Sequence, residues 1–135
     1  MKHILAAIDG SDASCRALAH AAELADRLDA ELTVLIVRLI LVGRKDVYAA
    51  MSLDEAHEIK KRAVDIALSA GKPQATVVVE KARDTAYKIV DFAIEKGADL
   101  IVMGASGKGG FKTFLLGSVS QEVLRKSACP VMIVH

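Results

Sequence analysis

The chain has 135 residues, 53% of them hydrophobic and 26% charged, a balance that fits a folded globular domain and argues against disorder. Its 18 basic and 17 acidic side chains leave a net charge of +1, so the broad basic face that nucleic acid or an anionic membrane calls for is not expected. The 2 cysteines, Cys15 and Cys129, form no C-x-x-C spacing, which removes the usual zinc, iron–sulfur and thioredoxin-type signatures and fits a reducing, cytoplasmic setting.

In chain order, Ile4–Ile8 is a short apolar run closed by Asp9-Gly10, a strand and its exit turn. An acid at position 9 comes too early for the apolar region of a signal peptide. After Ser11-Asp12, either able to cap a helix, Ala17, Leu18, Ala21, Leu24, Ala25 and Leu28 recur at spacings of three and four. Leu32–Val37 is a second strand, rich in β-branched residues. The apolar stretch goes on to Val42 but contains Thr33 and Arg38, and it falls short of the roughly 20 residues a spanning helix needs, so no membrane insertion is expected. Arg38 to Met51 has no regular pattern. Its apolar start, Leu39–Val42, reads either as a partly buried flap or as a protein-contact surface.

Ser52 and Glu55 have capping-box spacing, and Ala56, Ile59, Ala63, Ile66 and Ala70 line one helical face before Gly71 and Pro73 end it. Ala75–Val79 is a third strand. Asp84 or Thr85 caps a third helix that carries Ile89, Val90, Ala93 and Ile94 and stops at Gly97. Leu100–Met103 is a fourth strand running into Gly104. A short helix spans about Gly117 to Lys126, and Pro130 opens a last strand, Val131–Val134.

Strands alternating with helices predict one α/β domain over residues 1–135, an open five-stranded parallel sheet with right-handed crossovers and helices on both faces. The expected strand order is 3-2-1-4-5. In such a sheet, ligands bind beyond the carboxyl ends of the strands, where the order reverses. Two strand ends look suited to this: Ile8-Asp9-Gly10-Ser11, and the run from Met103 to Ser118. The latter holds Gly104, Gly107, Gly109, Gly110 and Gly117, five of the chain's 9 glycines. Gly117, Ser118, Val119 and Ser120 open a helix, where free amides and the dipole favour an anion and the two hydroxyls add donors. That equipment suits a polyphosphate, although composition alone fits an ordinary surface loop and helix cap as well. A P-loop is excluded because Gly110 stands where lysine is required, and a dinucleotide G-x-G-x-x-G fails at Lys112.

These segments resemble a known family. Lys2–Ser11, Gly97–Gly107 and Ala128–Val134 resemble the first, fourth and last strands of the universal stress protein family. Gly104, Gly107, Gly117 and Ser118 match that family's nucleotide-binding pattern, G-x2-G-x9-G-[ST], at every position. The resemblance covers essentially the whole chain. It implies an adenine nucleotide alpha-hydrolase-like fold of the ATP-binding subgroup, with Mg²⁺ or Mn²⁺ accompanying the triphosphate. It also implies a homodimer through Val131, Met132, Ile133 and Val134. Carried over by position, it puts Asp9 near the ribose or base, Val37 against adenine, and Met103 and Gly104 along the cleft. Ser106 and Gly107 would approach the phosphates, which Gly117, Ser118, Val119 and Ser120 would hold.

Catalysis has little support in the residues. His3, His20, His57 and His135 have no metal-ligand spacing, and the H-x-G-H and S-G-G-x-D-S signatures of nucleotidyl-transferases and pyrophosphatases are absent. A receiver-type acid cluster would start at Asp9, but Glu80-Lys81 and His135 do not complete it. The expectation is an ATP-binding regulatory stress protein, cytoplasmic, with at most slow ATP hydrolysis. The alternative is a protein-interaction module in which nucleotide binding is incidental or absent.

Overall fold

The structure, a computed structural model, describes residues 1–105 and 116–135. Its elements run β1 (His3–Ile8), α1 (Asp12–Leu28), β2 (Glu31–Val42), β3 (Val47–Ala49), α2 (Leu53–Ser69), β4 (Thr76–Ala82), α3 (Thr85–Lys96), β5 (Leu100–Gly104), α4 (Ser118–Lys126) and β6 (Val131–Val134). Three helices start where a short polar side chain satisfies an otherwise orphaned amide: Ser11 accepts from Ser14 N (3.2 Å), Ser52 from Glu55 N (3.0 Å) and Asp84 from Tyr87 N (2.9 Å). Gly97, at φ +64°, closes α3 in the left-handed conformation that a Cβ would disfavour.

The parallel strands lie in the order β4-β2-β1-β5-β6. Leaving β3 aside, this is the expected 3-2-1-4-5, with β1 at the centre and the 131–134 strand at an edge. The helices cover both faces. Ile4, Ile8, Val34, Ile36 and Val102 pack beneath α1 and α2; Leu5, Ala7, Leu35, Ile101 and Met103 pack beneath α3 and α4. Burial on both faces is why the central strands read as continuous apolar runs rather than as alternating ones. Asp99 ties the amino ends of the strands together: its Oδ2 accepts from Lys2 N (2.7 Å) and His3 N (2.9 Å), and these bonds hold its carboxyl below the usual carboxylate range. Among the described residues, no helix is long and apolar enough to cross a membrane.

One element departs from the sequence expectation. The segment after Val37 is not irregular: β2 continues to Val42, and a sixth strand, β3, turns back on it with Ile40 opposite Ala49, Leu41 opposite Tyr48 and Val42 opposite Val47. Gly43 N donates to Asp46 O (2.7 Å) across the turn. Glu31 N donates to Lys2 O, so the odd-numbered residues of β2 aim their peptide groups at β1. Ala50 N donates to Leu39 O on that same edge. The returning chain therefore takes the place beside β2 that β1 gives up after Ile8. Leu39 and Ile40 are half-buried, while Leu41, Val42, Val47 and Tyr48 are exposed, so only the base of the hairpin fits the flap reading.

Smaller shifts concern boundaries. The third parallel strand is Thr76–Ala82 rather than Ala75–Val79, and Gly117 is the N-cap of α4 rather than its first residue. Leu5 has no exposed surface and sits mid-strand in β1. Truncation to alanine there should cost about 2–5 kcal/mol, through lost burial and the cavity left behind. Urea unfolding followed by circular dichroism measures this; a loss well below that range would mean that the core collapses around the site.

Candidate functional site

Two turns at the carboxyl edge of the sheet shape the site. At the end of β1 the chain reverses through Gly10, whose φ of +87° is strained for any residue with a Cβ. Asp9 Oδ1 accepts from Ser11 N (2.9 Å), and the buried Ser14 hydroxyl donates to Ser11 O (2.9 Å) while accepting from Asp9 N (3.3 Å). This web of local bonds fixes a half-buried carboxylate at the mouth of the sheet.

At the end of β5, a Cβ on Gly104 would lie 2.9 Å from Ala13 C and from Ser14 N. The first turn of α1 passes directly over this residue, so helix–strand packing by itself excludes a side chain. Gly104 also borders the cleft. The start of α4 is pinned to the same strand end. Gly117 N donates to Ala105 O (2.7 Å), and the buried Ser120 hydroxyl donates to Gly104 O (2.9 Å).

These turns enclose a cleft of about 290 Å³ on the α3/α4 side of the sheet. Ala7 and Ile8 from β1 with Asp9 just beyond it, Leu35 and Val37 from β2, and Met103 and Gly104 from β5 form its floor. Ser14, Thr85 and Ile89 border it from α1 and α3, and Gly117, Ser118, Val119 and Ser120 close the far end. The structure thus gathers Asp9, Val37, Met103, Gly104, Gly117, Ser118, Val119 and Ser120 around one space; Ser106 and Gly107 lie outside the described residues. Ser14, Leu35, Thr85 and Ile89 are lining residues that sequence reasoning did not single out. Thr85 had a signal, since the capping residues of a helix at the carboxyl edge must face the crevice.

The two helices flanking the cleft begin differently. The N-cap of α3 is Asp84, a carboxylate whose Oδ1 satisfies Tyr87 N. The N-cap of α4 is Gly117, which has no side chain to cap the first-turn amides, and among the described residues no side-chain cap is found there. Elsewhere, His3 is accounted for structurally, its ring nitrogens lying 3.0 Å from Lys96 O and 2.8 Å from Thr33 Oγ1. Among the described residues, no group of three or more His, Cys, Asp or Glu could hold a metal ion.

Comparison with known proteins agrees with this architecture. The sequence model of the Universal stress protein family matches residues 1–135. The chain is 36% identical to Universal stress protein MJ0531 of Methanocaldococcus jannaschii, over 98% of this chain and 81% of that protein. It is 35% identical to Universal stress protein YxiE of Bacillus subtilis, over 98% and 97%. Among solved structures, a universal stress protein in complex with cAMP superposes with a TM-score of 0.77 at 29% identity, covering 99% of this chain and 96% of that one. The universal stress protein from Archaeoglobus fulgidus in complex with dAMP gives 0.76 at 28% identity, covering 100% and 98%. The chain belongs to the universal stress protein family.

The packing at Gly104 is open to a direct check. Gly104→Ala forces a methyl group into the α1 backbone and should destabilise the fold by about 1–3 kcal/mol, the usual cost of overpacking. Urea unfolding of the variant without ligand measures it. Undiminished stability would return the glycine to a ligand-driven role.

Proposed function

We propose that this family member holds an adenine nucleotide, ATP in the cell, in the cleft at the carboxyl edge of its sheet, with the base between β2 and α3 and the phosphates at the start of α4. The observation that carries this orientation is the unequal capping of the two helices. The bare Gly117 cap leaves first-turn amides and the positive end of the α4 dipole for an anion, and the absence of a Cβ lets phosphate approach the backbone. The Asp84 carboxylate at the other end repels phosphate, and Leu35, Val37 and Ile89 there offer apolar surface to a purine. Asp9 lies between the two ends as an acceptor suited to ribose hydroxyls. Ser106 and Gly107, which lie outside the described residues, would join the phosphate end if the family resemblance holds at those positions.

The structural relatives solved with cAMP and dAMP support an adenine nucleotide as the ligand class. Mg²⁺ or Mn²⁺ would arrive bound to the triphosphate, whose own oxygens are its natural ligands. Among the described residues there is no arranged nucleophile and base, so hydrolysis would be slow at most, and the bound nucleotide would act as a regulatory signal in the cytoplasm. Of the residues expected at the phosphates, Ser120 contributes its amide, since its hydroxyl is engaged with Gly104 O. Ser118 is exposed at the first helical position and contributes both amide and hydroxyl.

A second reading rests on the β2–β3 hairpin, whose exposed Leu41, Val42, Val47 and Tyr48 would suit an interaction module in which nucleotide is incidental. Denaturing purified protein and chromatographing the supernatant separates the two, since released adenine nucleotide supports the first.

Hydrogen bonds to charged groups contribute roughly 1.5–3 kcal/mol, so Ser118→Ala should weaken ATP by about 10- to 150-fold. Gly117→Val should weaken it more, because a branched side chain blocks approach to the amides. Adenosine should be affected much less by either change. Calorimetric titration with both ligands tests this, and equal losses for ATP and adenosine would overturn the phosphate assignment.

Assembly is the remaining part of the proposal. Two copies would pair through β6, where Val131 and Ile133 turn towards α3 and α4, Val134 turns to the opposite face, and Met132 is exposed. Val131→Asp and Ile133→Asp should halve the mass seen by light scattering at micromolar concentration. A wild-type monomer at that concentration would refute the pairing.

A further inference from the structure

The α2 helix reaches back to the turn that carries Asp9. Arg62 donates through Nη1 to Gly10 O (3.1 Å) and through Nη2 to Cys15 Sγ (3.2 Å), while Ile59, one helical turn earlier, packs against Gly10. Gly10 C=O and Ser11 N–H belong to the same peptide unit, and Ser11 N–H is the group that donates to Asp9 Oδ1 (2.9 Å). That single peptide plane is therefore held at both ends, by a guanidinium on its oxygen and by a carboxylate on its hydrogen. A cation at the oxygen polarises the amide and strengthens its donation to the carboxylate.

We propose that Arg62 is the positioning residue for Asp9, acting through the Gly10–Ser11 peptide to keep the carboxylate aimed into the cleft. The lock matters because of where it sits. Gly10 has φ +87°, and a glycine tolerates the backbone change that turns the following peptide over. Turning it would move Ser11 N–H away from Asp9 and release the carboxylate. The second arm of the Arg62 fork, on Cys15 in the first turn of α1, holds the guanidinium against the helix that the turn leads into. The consequence for ligand affinity rests on the nucleotide reading above; the lock itself does not.

The test has two arms. Arg62→Met keeps the aliphatic stem and removes the donors, Arg62→Lys restores one charged donor, and thermal unfolding confirms that both fold. In the first arm, amide hydrogen exchange is followed by NMR on protein without nucleotide. Exchange at Ser11 should accelerate about tenfold in the Met variant, while Tyr87 N, capped by Asp84 on another helix, keeps its rate. In the second arm, calorimetry with ATP and adenosine should show both weakened about tenfold in the Met variant and partly restored in the Lys variant. In an Asp9→Asn background, Arg62→Met should add little, because the group that it positions has already been replaced. Unchanged Ser11 exchange, unchanged affinity, or an equal loss in the Asp9→Asn background each overturns the proposal. Wild-type protein that binds neither ligand would instead refute the nucleotide reading, and the Ser11 exchange rate would still decide the role of Arg62.

Discussion

The site depends on the position of β1. That strand is buried on both faces and paired along both edges, to β2 through Ile8↔Ile36 and to β5 through Ala7↔Met103. Its neighbours lead the chain in opposite directions across the sheet, so a crevice must open where β1 ends. Asp9 is the first residue past the last pairing, and Val37 and Met103 flank it because the parallel register sets them level with the strand's end. Moving β1 to an edge would leave the same residues without a common space.

Within the crevice, polar groups divide into those that build it and those left for something else. The hydroxyls of Ser14 and Ser120 are used inside the protein, on Ser11 O and Gly104 O, and the Gly117 amide is used on Ala105 O. These bonds hold three chain segments in register at the strand ends. Among the described residues, the following amides of α4 receive no side-chain cap. A preorganised site has this character, because its framework is satisfied before a ligand arrives and few groups need reordering on binding.

Much of this was legible in the sequence, for reasons that differ by element. The parallel strands were readable because burial on both faces demands unbroken apolar runs, and the helices because their caps are local chemistry: Ser11, Ser52 and Asp84 each sit beside the amide they satisfy. β3 was not readable. It is a three-residue strand whose pairing depends on β2 outlasting β1, a property of the assembled sheet, and Arg38 and the charged turn Arg44-Lys45-Asp46 disguise the apolar pattern on either side. Arg38 is itself buried, its Nε donating to Met51 O (3.2 Å), so a residue that reads as a surface marker braces the chain behind the hairpin. Leu35 and Ile89 read as core and also face the cleft; no local pattern separates the two roles. Gly104 was identified by a spacing shared with a family, while the contact that demands a glycine, with Ala13 and Ser14, lies ninety residues away along the chain and is visible only in three dimensions.

The two rims of the sheet differ in a way that limits growth. β4 ends the sheet on one side with Glu80 and Lys81 within its seven residues, and β6 ends it on the other with Val131, Met132, Ile133 and Val134, which carry no charge. Charged residues on a rim discourage another strand from adding there, whereas an uncharged rim invites one. A molecule with two inviting rims could join head to tail without end, as fibrous polymers do. Charge on one rim discourages strand addition on the β4 side. The charge carried by β4 thus works against open-ended growth along that rim, independent of whatever the cleft contains.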